Sequence, residues 1–509
     1  MKTSKLFVII FILIFTIKDV KAQNYTLITY NVENLFDADS IAVFNDYHTL
    51  DAYGNRQYTK EDVLTKIHNI TKVLKQYNEG KGPEIILFEE LESDFSPSKT
   101  TRDVNAQKFL DKYSNTSLDR MLGGGFNKTI ADLPSELLLL KGMADAGLTG
   151  YDYQAGFSRM KSNGKPMHVQ KCVVFSRLPI EKDKTKIHPI PDARPILEVW
   201  LNVRGHNLIV FANHWKSGAS SPELEQARIK DAIVLRNRLN ILLKENPNAD
   251  IIIGGDFNSS YNQLTVMPEL KESAINTILQ STGNEEEVDR GHSKKVYNLW
   301  YELPLNKRGS EVYRGHWSTL MQIMISSGLY DYEGIQYVDN SYKVGSFDGL
   351  NVESYDNAPE RWSSIGSGKG FSDHFPVSMQ FRVVDENNFA QKMQLKNPGH
   401  NDDNKWKPIP VITKKPDMSQ AYKPEKLEDI SLRQVKYFDK LFYLEKPISS
   451  KMNVLVKGQV YRVYSNNRKV RQTLKQNAGK STVLHFFARL SKYRDTWEFV
   501  IDTPDYILN

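Results

Sequence analysis

Asp250-Ile251-Ile252-Ile253-Gly254-Gly255-Asp256-Phe257-Asn258 decides how this chain is read. An apolar run leads to a break of two small residues. A carboxylate and a carboxamide follow, two positions apart. Strand side chains alternate between faces, so Asp256 and Asn258 are expected side by side at the mouth of a buried strand. One can take a proton, and the other can both donate and accept hydrogen bonds. Such a pair is the start of a polar site and needs partners from elsewhere in the chain.

Working outward, the preceding segment repeats the pattern. Leu208-Ile209-Val210-Phe211-Ala212 reads as a strand and runs into Asn213-His214-Trp215-Lys216-Ser217. Ser221-Pro222 opens a helix, with proline at the first helical position, and Pro247 closes it. Downstream, His316 to Ser326 reads as one further strand, and Gly370-Phe371-Ser372-Asp373-His374-Phe375-Pro376 leads into a last one at Val377 to Phe381. At the other end of the chain, Tyr25 to Asn31 reads as a first strand ending in Val32-Glu33-Asn34-Leu35-Phe36-Asp37. Val63, Leu64, Ile67, Ile70, Val73, Leu74 and Tyr77 then recur at helical spacing. Thr59 with Asp62 resembles a capping box, and Gly80 is the expected stop. Ile85-Ile86-Leu87-Phe88 is a second strand, ending in Glu89-Glu90-Leu91-Glu92. Ser93 to Gly150, with Gly123-Gly124-Gly125, reads as an insertion of one or two helices near the site entrance. Val169 to Phe175 and Ile196 to Val203 are further strands. Strands and helices first alternate and strands then follow one another, which points to layered sheets with helices outside.

The chain has 509 residues, enough for two to four domains. Lys2 and Lys5 followed by apolar Leu6 to Ile17 and by Val20-Lys21-Ala22 read as a signal peptide, residues 1–22, cut after Ala22. The expected destination is the periplasm or the medium. Cys172 is the only cysteine, so no disulfide can form within the chain; its apolar neighbours mark it as a core residue. Residues 23–385 are expected to form the catalytic domain. Asn, Asp, Lys and Pro dominate 386–428, the expected linker. Residues 429–509 carry strand signals at Val454 to Tyr464, Thr482 to Leu490 and Thr496 to Ile501, read as a small β-rich domain of OB-like pattern. From Ala390 onward 23 basic residues face 12 acidic ones, a net +11 against +6 for the whole chain, so the remainder is at −5. A basic tail suits a polyanion, or simply a soluble surface.

Asn31, Glu90, Asn213-His214 and Asp256-Phe257-Asn258 each adjoin a strand, and Asp373-His374 precedes one. Oxygen ligands such as Glu90 and Asp373 suit Mg²⁺ or Mn²⁺. No Cys or His pair has zinc spacing. Gly-Asp-Phe-Asn, the later Ser-Asp-His, the early Asn and the Pro-x-Ile-x-x-x-x-Glu strand, in this order, resemble the endonuclease/exonuclease/phosphatase superfamily with its DNase I-like fold. The resemblance covers roughly Gln23 to Val383. It implies a four-layer αββα sandwich and a metal-dependent phosphoesterase. By position it implies Glu90 as principal metal ligand, with Asn31 placing metal or phosphate and Asp373 near the metal. Asp256 would orient or deprotonate the attacking water, Asn258 would hold a phosphoryl oxygen, and His374 would act as base or stabiliser. His214 would assist the leaving group. Asp256 and His374 remain rivals for the base. Glu89 and Glu92 are read as solvated or supporting acids.

One position departs from the family. Its usual Leu-Asp-x, whose acid orients the terminal histidine, is here Leu320-Met321-Gln322. His374 is then held by another group, such as Gln322, or is less basic than usual. Arg194 and Lys216 are candidate phosphate-binding residues; Trp215, Arg361 and Trp362 also flank the motifs. The expected activity is an exported phosphodiesterase that cuts nucleic acid. The rival readings are a sphingomyelinase-type or inositol-phosphate phosphoesterase, and a degenerate enzyme that binds nucleic acid.

Overall fold

The computed structural model describes residues 23–39, 58–94, 104–157, 161, 167–219, 221–267, 269–289, 294–304, 307–313, 316–353, 357–362, 370–384, 421, 441–465, 467–493 and 496–508. The expected signal peptide lies outside them, as does the expected linker apart from Ala421.

Two sheets pack face to face. The first contains β1 (Asn24–Leu35), β2 (Ile85–Glu92), β3 (Asp152–Ala155), β4 (Gln170–Ser176), β14 (Ile335–Tyr337), β15 (Lys343–Val344) and β16 (Val377–Val383). Its order is β14-β16-β1-β2-β4-β3, with β15 also on β16. The second contains β5 (Lys186–Ile190), β6 (Ala193–Val203), β7 (His206–His214), β8 (Ile251–Asp256), β9 (Ser281–Thr282), β10 (Val296–Asn298) and β13 (Met321–Ile325). Its order is β5-β6-β7-β8-β13-β10-β9. A separate ribbon pairs β11 (Glu311–Tyr313) with β12 (His316–Ser318).

Alternation along the strands builds three cores. Leu27, Leu87, Val174, Val210, Ile252 and Ile323 fill the gap between the sheets. Cys172 lies in this layer, as expected of a core thiol. Ile28, Tyr30, Ile86 and Phe88 face the other way, onto the helix Lys60–Leu74. Ile209, Phe211, Ile251 and Ile253 meet the helix Glu225–Glu245. Each fully buried Ile or Leu contributes roughly 1.5–3 kcal/mol. The layers are thus helix, sheet, sheet, helix, the expected sandwich.

Several local expectations change. The capping box is present, with the amide of Asp62 donating to Thr59 Oγ1 (3.3 Å) and the amide of Thr59 donating to Asp62 Oδ2 (2.7 Å). The helix ends at Leu74, before Gly80, and a short 3₁₀ turn follows at Asn78–Gly80. Residues 104–150 hold more than the one or two helices expected. They form the helices Ala106–Lys112, Leu118–Leu122, Lys128–Ala131 and Ser135–Asp145, whose Leu118, Leu137 and Leu140 join the outer core. A Cβ on Gly142 would lie 2.2 Å from Ile67 Cγ2, so this glycine lets two helices touch. The single strand expected at 316–326 is two, β12 and β13, broken at Thr319-Leu320.

The C-terminal unit contains β17 (Leu441–Pro447), β18 (Asn453–Val456), β19 (Gln459–Tyr464), β20 (Val483–Tyr493) and β21 (Thr496–Val500), in the order β17-β20-β21-β19-β18. Only β19 and β21 run parallel. The helix Arg468–Asn477, not foreseen from sequence, sits between β19 and β20 in the chain. The end strands β17 and β18 approach each other, so the sheet nearly closes. This is the expected β-rich unit of OB-like pattern.

Candidate active site

The order of the strands explains why distant motifs meet. β1 and β2 are parallel, and so are β7 and β8. Asn31, Glu90, His214 and Asp256 all stand at the C-terminal ends of these four strands. β16 runs antiparallel to β1, so His374, just before it, arrives at the same end. β13 runs antiparallel to β8, and its first residue, Met321, pairs with Asp256.

Asp256 shares the parity of Ile252 and Gly254, and so points into the gap between the sheets. Gly254 keeps that gap narrow: a Cβ there would lie 3.0 Å from Leu87 Cδ2 across it. Asn31 reaches over from the first sheet, donating from Nδ2 to Asp256 Oδ2 (3.0 Å) and to Glu90 Oε1 (3.1 Å). Its Oδ1 accepts from the amide of Glu33 at 2.9 Å. The side-chain nitrogen of Asn31 thus holds two acids together, while its oxygen meets the backbone. Asn258 is not placed by alternation either. The strand ends at Asp256, and Asn258 has a φ of 48°, with its amide bonded to Asp256 Oδ1 (2.9 Å) and its Nδ2 to the carbonyl of Trp215 (3.3 Å).

Glu90 is turned into the site by an irregularity. Its φ is 66°, and the pairing of β2 with β4 shifts register between Phe88 and Leu91. Glu89 and Glu90 thereby take different surroundings. Glu89 is buried against Thr29, whose hydroxyl donates to it at 2.7 Å, and Glu92 is buried and accepts from the amide of Asp37 at 2.9 Å. Neither is solvated, so of the two expected alternatives the supporting role is the one left.

The two histidines differ in charge. His214 Nε2 lies 3.6 Å from Glu90 Oε1 and 3.7 Å from Asp256 Oδ2. Burial holds its pKa well below the ordinary histidine value, and the cations Arg194 and His374 add to this. His374 Nε2 lies 3.6 Å from Asp373 Oδ1 and 3.8 Å from Asp256 Oδ2, while its Nδ1 lies 3.5 Å from Glu311 Oε2. Burial opposes charge on this ring too, but Asp373, Glu311 and Asp256 outweigh it, and the pKa is raised well above the ordinary value. The expectation of a less basic His374 is thus reversed. Gln322 does not hold it: its amide donates to the carbonyl of Ser259 and accepts from Asn298 Nδ2 at 2.7 Å.

Cations surround the acids from one side. Arg361 NH2 lies 3.4 Å from Asp373 Oδ2 and 3.2 Å from Glu33 Oε1. Lys66 is wholly buried, donates to the carbonyl of Glu33 (2.7 Å), and is pushed down to about 7 by burial. Arg194 lies away from the cleft's centre in its bonding: its guanidinium donates to the carbonyls of His214 (2.9 Å) and Trp215, fixing the exit of β7. Lys216 is exposed; its backbone amide donates to Asp231 Oδ2 at 3.2 Å and its carbonyl accepts from Arg228 NH1 at 3.3 Å. Trp215 is unavailable for stacking on substrate, because it is buried edge-on against Phe257 at 4.7 Å. Trp362 is likewise buried, with Lys66 Nζ over its ring at 4.7 Å.

Lys66, Glu33 and Glu311 were missed from sequence. Lys66 left a readable trace, since it falls on the apolar face of its helix between Val63 and Ile67. Glu33 and Glu311 left none.

The acids fit a divalent cation. Burial first, then the charge of Asp373, raise Glu90 to about 7, while the Asn31 amide lowers it. Such mutual repulsion among oxygen donors is what a hard dication relieves. In this cleft, Glu90 and Asp373 are the acids that the motif resemblance assigns to such a dication.

An acid–histidine cleft at one end of two packed sheets is the feature that the comparisons bear on. Residues 174–383 match the Endonuclease/Exonuclease/phosphatase family, in agreement with the resemblance carried by the motifs. No curated protein matches the chain significantly. Among similar solved structures, an endonuclease/exonuclease/phosphatase of Beutenbergia cavernae shares 13% identity over 71% of this chain and 72% of its own, with a TM-score of 0.39. A humanised TDP2 of D. rerio shares 13% over 70% and 99%, with a TM-score of 0.38. A family protein of Bacteroides thetaiotaomicron shares 15% over 72% and 99%, with a TM-score of 0.36.

Proposed function

We propose that this chain is an exported, Mg²⁺- or Mn²⁺-dependent phosphodiesterase that hydrolyses nucleic acid by attack of water on phosphorus. The observation that carries the reading is the meeting of Glu90, Asp256 and Asp373 with His214 and His374 at one end of the sandwich. A bound dication would supply Lewis-acid relief of charge on a phosphoryl oxygen. The chain's own residues do the rest. Asp256, held by Asn31 and by the amide of Asn258, takes the proton of the attacking water. His374, kept cationic by its acids, faces the anionic ester and is therefore a stabiliser rather than the base. His214, kept neutral, offers a ring N–H to the leaving oxygen without adding fixed charge. In this reading Asn258 and Arg361 hold phosphoryl oxygens.

The test is a substrate panel on the chain from Gln23 onward, with Mg²⁺ and with chelator. It includes single- and double-stranded DNA, RNA, sphingomyelin and simple phosphate mono- and diesters. Metal-dependent cleavage of nucleic acid is expected, and Glu90→Gln should lower kcat by about 100-fold or more. Intact DNA and RNA under every condition would sink the nuclease reading. One feature favours the lipid alternative: Leu455 and Val460, paired across the β18–β19 hairpin, are each 57% exposed. Turnover of sphingomyelin alone would select it.

A further inference from the structure

We infer that Glu311 is the positioning acid of His374, delivered from the ribbon β11–β12 to the place where the β13 strand carries Met321. The inference rests on the phosphodiesterase reading for its kinetic consequence, but its geometry stands alone. Glu311 and His374 form an antiparallel backbone bridge, and the amide of Phe375 donates to the carbonyl of Ser310 at 2.7 Å. The side chains follow the backbone: Glu311 Oε2 lies 3.5 Å from His374 Nδ1.

The carboxylate is itself held ready. The hydroxyl of Ser310 donates to Oε2, and that of Ser318 donates to Oε1. The amide of Leu320 lies 3.3 Å from Oε1 and 3.4 Å from Oε2. A buried carboxylate with this many donors keeps its orientation. Ser310 also ties the ribbon to β13, because its Oγ accepts from the amide of Met321 at 3.2 Å. The acid therefore reaches the neighbourhood of Met321 through Met321's own backbone contacts. A thioether there cannot accept a strong hydrogen bond, and the neighbouring carboxylate supplies what it lacks.

The role that follows is orientation. With its hydrogen on Nδ1 toward Glu311, the ring presents Nε2 to Asp256 and Asp373, at 3.8 Å and 3.6 Å. A ring free to rotate loses that presentation, and the loss falls on turnover rather than on substrate affinity.

The test is acid relocation. Glu311→Ala should lower kcat by about 10²-fold with KM changed less than about threefold, since an acid that orients a histidine acts on its geometry in the transition state. Met321→Asp alone should stay within about threefold of the wild type. Residue 321 pairs with Asp256 and shares its face of the sheet, so the double variant Glu311→Ala/Met321→Asp should recover at least about tenfold. A Glu311→Ala enzyme within threefold of wild-type kcat would overturn the inference. So would a double variant no faster than the single one when both melt at the wild-type temperature. A second readout needs no turnover: with ¹⁵N-histidine in the full chain, the Nδ1 resonance of His374 should shift when Glu311→Ala removes its carboxylate neighbour. Unchanged ring nitrogen shifts would refute the inference even in an enzyme whose substrate is other than proposed. A wild type inactive on every substrate, with the ring shifts as expected, would count against the function and not against Glu311.

Discussion

Asp250, the first residue of the stretch that leads into the site, sits at the far end of β8 from Asp256. Burial, reinforced by Asp331 and opposed by a backbone bond from Ile335, pushes its carboxyl up to about 9. An unfolded aspartate titrates near ~3.9. The folded protein therefore binds the extra proton across this window, and the stability tied to it is complete below the unfolded value and lost as pH rises through the folded one. Asp250→Asn should remove that loss. Its melting temperature relative to wild type should rise by about 2–5 °C between pH 5 and pH 9. A constant difference across that range would show that Asp250 is not the group responsible. At this scale the chain was unevenly legible. Asn31, Glu90, His214, Asp256 and His374 each border a strand long enough to be read, so their meeting could be foreseen. Glu311 belongs to a three-residue strand with no periodicity, and its hydrogen-bonding to Ser310, Ser318 and Leu320 exists only once the ribbon folds back. The left-handed backbone at Glu90 and Asn258 was equally hidden, because neither residue is a glycine that would advertise it.

At the scale of elements, the pair β7–β8 carries most of the site's precision. Gly255 has a φ of 143°, and a Cβ there would lie 2.0 Å from the carbonyl oxygen of Asn213 on β7. A side chain must therefore push apart the two strands that hold His214 and Asp256 in register. Gly255→Ala should cost more than about 2 kcal/mol in urea unfolding and lower kcat as well. A variant as stable as wild type would show that β7 can give way. The long helices and central strands were legible because apolar residues repeat over several turns or pleats. The break between β12 and β13 was not, since Thr319-Leu320 continues the apolar run, and the turn is made by their contacts with Tyr261 and Glu311.

Over the whole molecule, chemistry and charge are divided. The acids and histidines belong to the sandwich, and the excess of basic residues lies beyond Ala390. Removing everything after Val384 should leave hydrolysis of a small diester within about threefold. The same truncation should weaken binding to single-stranded DNA and flatten the dependence of log Kd on log salt by about one unit for each phosphate that the tail neutralises. An unchanged slope would remove the C-terminal unit from nucleic-acid binding. The architecture of both units was legible at this scale, since layer order follows from the alternation of segment types. The helix Arg468–Asn477 escaped because its residues are nearly all polar, with Val470 and Leu474 its only buried side chains.

Cys172 offers a practical consequence. It is the chain's single thiol, and it is sealed in the layer where the two sheets meet, with burial pushing its pKa well up. A water-soluble disulfide reagent can reach it only when those sheets part. The rate of its colour reaction is therefore a one-site clock for opening of the sandwich, present in the native protein without any engineered label.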